Sequence, residues 1–89
     1  MKYEITLKSE RFKKSQINTI LKRRLRKLKR IAQGYKIKAI FEFKDNKTVT
    51  SLKAIGKNLI VVNSNSHQID ESIKGAVMKM KTVLVKERV

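Results

Sequence analysis

The chain has 89 residues, and 23 Lys and Arg against 7 Asp and Glu give it a formal net charge of +16. One hydrophobic core is all such a length holds, so a single domain over residues 1–89 is expected. Cysteine is absent, which excludes disulfides and thiolate metal sites. Self-repulsion on this scale points to a polyanionic partner, nucleic acid ahead of a membrane surface or an acidic protein. No apolar leader is present and no run approaches the ~20 apolar residues of a membrane span, so a cytoplasmic protein with no membrane partner is expected. A hydrophobic content of 40% suits a packed core rather than a disordered basic tail.

Tyr3, Ile5 and Leu7 alternate with Lys2, Glu4, Thr6 and Lys8, the pattern of a half-buried strand. Residues 9–15 connect it onward, with Phe12 as an anchor and Ser15 as an N-cap. Across residues 16–32, Ile17, Ile20, Leu21, Leu25, Leu28 and Ile31 recur at steps of three and four. On a helix they fill an arc of roughly 140°, while Lys22, Arg23, Arg26, Lys27, Lys29 and Arg30 fill roughly 160° on the other side. Arg24 alone falls within the apolar stripe, where its stem can pack while the guanidinium reaches out. Gly34 is expected to end this helix in the left-handed conformation.

Tyr35, Ile37, Ala39, Phe41 and Phe43 share one face of a second strand, which turns at Asp45-Asn46-Lys47 into a third over residues 48–55. Gly56-Lys57-Asn58 turns again, a fourth strand covers residues 59–63, and residues 63–66 read as polar punctuation. The last helix begins near His67 and buries Ile69, Ile73, Ala76, Val77, Met80, Val83 and Leu84, with Met78 at the edge. Asp70 and Glu71 in its first turn and Lys86 and Arg88 in its last match the helix dipole. Gly75 inside it marks either a close approach of the two helices or a tolerated weakness. The order β-α-β-β-β-α, in the α/β (α+β) class, predicts a four-stranded sheet with both helices on one face and the other face in solvent. That order resembles the double-stranded-RNA-binding fold.

Nothing in the sequence assembles a catalytic site. His67 is the only imidazole, beside Ser64, Asn65 and Ser66 at a helix start, and it reads as a surface or capping residue. The carboxylates show no metal-loop spacing, and Gly34, Gly56 and Gly75 are too scattered for a phosphate loop. A non-enzymatic protein with no cofactor and no small-molecule substrate is therefore expected. The aromatics mostly share the buried strand face, so a base-stacking platform is not visible. Ten Lys and Arg lie between Arg11 and Arg30, and Glu10 is the only acid between Ser9 and Gly34. Solvated helices interleave signs for pairing, so an array this one-sided suits phosphates. A general structured-RNA binder (an rRNA-assembly or chaperone protein) fits this pattern. A membrane-surface or acidic-protein binder fits less well, because the strands offer the apolar stripe a partner.

At this level of detail the chain resembles the ribosome hibernation promoting factor family, in its short form, over nearly its full length. The resemblance rests on Arg23-Arg24-Leu25-Arg26-Lys27-Leu28-Lys29-Arg30 closing the first helix and on the Lys44-Asp45-Asn46-Lys47 turn. Gly56-Lys57-Asn58-Leu59-Ile60-Val61 and Ser72-Ile73-Lys74-Gly75-Ala76-Val77-Met78-Lys79-Met80, with Leu84 and Lys86 beyond, continue it. The meander turn is shorter than the family's, Gln68 stands where an acid commonly opens the second helix, and Lys29 and Lys74 replace acids. The resemblance implies a translation regulator of the ribosome hibernation kind. It would bind small-subunit rRNA in the channel of mRNA and tRNA and be monomeric off the ribosome. By position it implies contacts from Arg23, Arg24, Lys27, Arg30, Lys79 and Lys86; the helical projection adds Lys22, Arg26 and Lys29. Long-form members carry a further C-terminal dimerisation domain, which is not expected within these residues.

Overall fold

The structure is a computed structural model and describes residues 3–87. Lys2 and Arg88, assigned from the sequence to the first strand and the end of the second helix, lie outside the described residues. The elements are β1 (Tyr3–Leu7), α1 (Lys14–Leu25), a 3₁₀ turn (Arg26–Leu28), β2 (Lys36–Lys44), β3 (Lys47–Ile55), β4 (Leu59–Ser66) and α2 (Ile69–Glu87). They form one four-stranded sheet in the order β1-β2-β3-β4. β1 runs parallel to β2, while β2–β3 and β3–β4 are antiparallel. The β-α-β-β-β-α order and the four-stranded sheet are those the sequence patterns predict, and the structure adds the parallel pairing of β1 with β2.

The register places Ile5, Ala39, Leu52 and Val62 in one row across the sheet, with Tyr3, Ile37, Ala54 and Ile60 in the next. Both rows face the helices. Ile17, Leu21 and Leu25 of α1, Leu28 of the 3₁₀ turn, and Ile73, Ala76, Val77, Met80 and Leu84 of α2 close over them as a single core. The remaining face carries Glu4 with Lys36 at 2.7 Å and Lys8 with Glu42 at 3.6 Å. Asp45 and Asn46 turn β2 into β3 with φ of 54° and 60°, the left-handed pair that a two-residue hairpin demands.

Five local expectations are corrected. The first helix opens after Lys13, which makes no side-chain cap, and Ser15 lies inside it. It also stops being α-helical at Leu25, seven residues short of the predicted end, and tightens into the 3₁₀ turn. Like charges at i,i+4 (Lys22 with Arg26, Arg23 with Lys27, Arg26 with Arg30) oppose each other there with no acid interleaved in the segment, Asp70 of α2 reaching only Arg23 and Arg24. Leu28 keeps its place in the core at 0% exposure because the tighter turn still delivers it. Gly34, at φ +86°, therefore ends the turn segment that follows rather than the helix itself. The polar residues 63–66 continue β4 instead of ending it, because their backbone pairs with β3 as far as Thr48↔Ser66. Gly75 marks an approach of α2 to β4, not of helix to helix: a Cβ there would come 3.2 Å from the Ser64 Cβ and closer still to its hydroxyl.

A buried polar knot ties α2 to the sheet where the inner face turns hydrophilic. Ser72, at 0% exposure, is 2.8 Å from the Thr50 hydroxyl and reaches the Thr48 and Ser64 carbonyls at 2.9 and 3.1 Å. One consistent arrangement has Thr50 donating to Ser72 and Ser72 donating to the carbonyls. No buried side-chain polar atom among the described residues is left without a partner.

Candidate nucleic-acid interface

Seven cations crowd residues 22–30, and burial sorts them. Lys22, Arg23, Arg26, Lys27, Lys29 and Arg30 are exposed, while Arg24 is half-buried. The single basic face projected from the sequence resolves into a crest with two flanks. On the β1 flank, Lys22, Arg26 and Lys29 surround a hollow of about 210 Å³ with Tyr3 and Leu25. On the α2 flank, Lys27 joins Lys74, Lys81 and Lys86 around a groove of about 650 Å³ floored by Val77, Met78 and Val85. Lys74 and Lys81 belong with Lys79, Lys86 and Arg88 to the basic array that the sequence places on the second helix, but neither the family resemblance nor the helical projection singles them out as contacts. Their spacing of seven, which keeps them on one line of α2, is the signal that could have found them.

Arg24 points at α2. Its Nη2 lies 3.0 Å from one Asp70 oxygen and its Nε donates to the other at 3.4 Å, while the exposed Arg23 reaches the same carboxylate at 3.4 Å. Hydrogen bonding from Arg24, helped by the positive charges of Arg24 and Arg23, holds the Asp70 carboxyl below its ordinary range despite some desolvation. Asp70 thus serves two ends, matching the dipole at the start of α2 and tying that start to α1. Lys79 lies on the opposite flank of α2, where its Nζ donates to the Asn63 carbonyl of β4 at 2.7 Å. The nine candidates therefore divide. Six crown α1 and the turns after it, Lys86 faces them across the groove, and Arg24 and Lys79, with the exposed Arg23 of the crown, are engaged with this chain's own acceptors.

His67 lies at the far end of the sheet, its Nδ1 3.1 Å from the Asn46 carbonyl, bracing the hairpin against the start of α2. Beside that hairpin the Arg11 guanidinium stacks 3.9 Å over the Phe43 ring, a half-buried aromatic that the sequence assigns to the buried strand face. Among the described residues no helix is long and apolar enough to cross a membrane.

The geometry defines an α+β protein with two helices on one sheet face and a cationic array raised on the end of the first helix and the turns that follow it. That fold is shared with two solved structures. One is a ribosomal subunit interface protein from Coxiella burnetii (TM-score 0.87, 14% identity, 99% of this chain and 98% of that one). The other is the Protein Y N-terminal domain of Thermus thermophilus (TM-score 0.81, 16% identity, 94% of this chain and 96% of that one). No family model and no curated protein sequence matches the chain. At these identities the likeness is one of fold, and it agrees with the fold implied by the resemblance read from the sequence.

Proposed function

We propose that this protein binds rRNA of the small ribosomal subunit, in the channel where mRNA and tRNA lie, and blocks translation by occupying it. The observation that carries the reading is the cationic crest of Lys22, Arg23, Arg26, Lys27, Lys29 and Arg30, in which, among the described residues, only Arg23 meets an acid, set on a fold shared with a ribosomal subunit interface protein. Cations fixed on a short, core-anchored segment suit the fixed phosphates of structured RNA, which position a protein without reading sequence. The channel itself is the address implied by the family resemblance of residues 23–30 and 72–86. Lys86 and Lys27 reach the same RNA from either side of the groove, and Arg24 and Lys79 contribute once released from Asp70 and Asn63. The action is steric, without a chemical step or a cofactor, by a protein that is monomeric off the ribosome and works in the ribosome's own compartment, the cytoplasm.

Co-sedimentation with purified ribosomes through sucrose gradients tests the reading. Binding to vacant ribosomes that mRNA and initiator tRNA compete away is the expected result. Equal affinity for any duplex RNA would replace this reading with that of a general structured-RNA binder.

A further inference from the structure

The two edges of the sheet are built differently. β1 is five residues long, carries Glu4, and has the first turns of α1 beside it, with the Tyr3 hydroxyl donating to Asn18 Oδ1 at 2.6 Å. β4 is eight residues long and reads LIVVNSNS, without one charge, in a chain of which 34% is charged. Natural edges are usually defended by charge, proline or brevity, and this strand uses none of them.

The register shows which backbone groups the β4 edge offers. Phe41 gives its carbonyl to the Lys8 amide on the β1 side at 2.9 Å, so Phe41 and its opposite Thr50 are a non-hydrogen-bonded pair. Alternation then turns Thr50, Leu52 and Ala54 toward β4 and leaves Leu59, Val61, Asn63 and Asn65 with both backbone groups facing outward. Lys79 confirms this independently, because its ammonium finds the Asn63 carbonyl from outside. The side chains of the same residues stand on the open sheet face. There Leu59 is 65% exposed and Val61 48%, next to Ile55 at 38%.

We propose that the β4 edge accepts an added strand from a partner protein, an extended segment that alternates apolar and acidic residues. Main-chain pairing with Leu59, Val61 and Asn63 supplies attachment, and the alternate side chains supply choice. Apolar residues of the incoming strand fall on the open face beside Leu59 and Val61. Their neighbours fall on the helix side, beside Lys79. Docking gives the Asn63 carbonyl an amide in place of the ammonium, and the freed ammonium meets an acid. The surrounding charge comes mainly from Lys53 opposite Val61, Lys57 and Lys79. Glu87, held by Asn58 at 2.9 Å, is the one acid at that end of the strand among the described residues, and the balance selects an acidic segment. It also opposes a second copy of this chain, which brings a formal +16 of its own. The proposal shares only Lys79 with the RNA reading and uses none of the crest, since β4 lies on the flank of α2 away from α1.

The test uses the whole protein and a fluorescent peptide of about eight residues alternating Val and Glu, followed by anisotropy in about 0.15 M salt. The peptide is expected to bind and to slow hydrogen exchange at the Val61 and Asn63 amides. N-methylation of every second peptide amide, on the edge facing β4, should weaken it roughly tenfold, the loss of one or two main-chain hydrogen bonds. Val61→Lys, at an exposed position that leaves the core intact, should weaken it similarly. Equal binding of the N-methylated peptide, or of one with all Val preceding all Glu, would reduce the effect to charge attraction and overturn the proposal. An unaffected Val61→Lys variant, or dimers of this chain that dissociate on Val61→Lys, would overturn it as well.

Discussion

Helices α1 and α2 press on the same core from the same side, but they carry their charge differently. α2 opens with Asp70 and Glu71, ends with Lys86, and runs for nineteen residues without a break. α1 has no acid in its first turn, ends on Lys22, Arg23 and Arg24, and loses α-helical geometry after twelve residues. The contrast shows what concentrating charge costs. Cations close both helices in the sense the dipole favours, but a helix that also interleaves acids can be long, whereas one crowded with cations stays folded only as far as buried leucines hold it down.

The largest expected effect breaks this comparison at its apolar anchors. Leu28→Ala and Leu84→Ala each remove a residue of 0% exposure, and each should cost about 2–5 kcal/mol in urea unfolding. Under conditions where both variants remain folded, only Leu28→Ala should also weaken RNA binding, because Leu28 pins the segment that bears Arg26 to Arg30. Equal RNA affinity in the two variants would detach the 3₁₀ turn from the interface.

Next in size is the removal of the cations themselves. Changing Arg23, Arg26, Lys27 and Arg30 together to Ala should flatten the slope of log K against log salt by about 3 units. Changing Lys79 and Lys86 should flatten it by about 1.5 units if both meet phosphates. A smaller change for the second pair, traced to Lys79 remaining on Asn63, would make α1 the dominant contact surface.

Two smaller effects concern how α2 is fastened. Ser72→Ala leaves the Thr50 hydroxyl and two carbonyls without their buried partner and should cost about 1–3 kcal/mol. Asp70→Asn loosens the tie to Arg24 and should cost about 1 kcal/mol near neutral pH, part of it screened by solvent. The folded state depresses the Asp70 pKa, so its contribution is present above the unfolded value and fades as pH falls through the folded one. Unfolding curves of the wild type and Asp70→Asn should therefore converge below about pH 4. A constant gap down to strong acid would mean that the ion pair is not its source.

Much of this architecture was legible in the sequence because period-two and period-3.6 patterns report directly on which face is buried. The strand faces through Ile37, Ala39 and Phe41, the stripe of α2 and the exposed position of Met78 all follow from that. Patterns of polarity failed where burial is polar. Ser72 and Thr50 lie in the core, and Asn63 to Ser66 extend a strand, because hydrogen bonds rather than apolar area satisfy them. The end of α1 was hidden for another reason: Ile31 and Ala32 continue the helical period, and repulsion among cations leaves no mark in hydrophobicity. The division of the basic face into flanks depends on Asp70, a residue 46 positions from Arg24. Only the folded chain brings the two together.

The one parallel seam of the sheet sets the order in which the molecule is assembled and opened. β2, β3 and β4 join through tight turns, so their pairing closes short loops and forms early. β1 can join β2 only after the chain has run through α1 and back, at a greater loss of chain entropy. Half-buried Tyr3, Ile5 and Leu7 give it less to gain on arrival. Native-state hydrogen exchange will therefore see the amides of β1 open first, while those of β3, flanked by strands on both sides, persist to global unfolding.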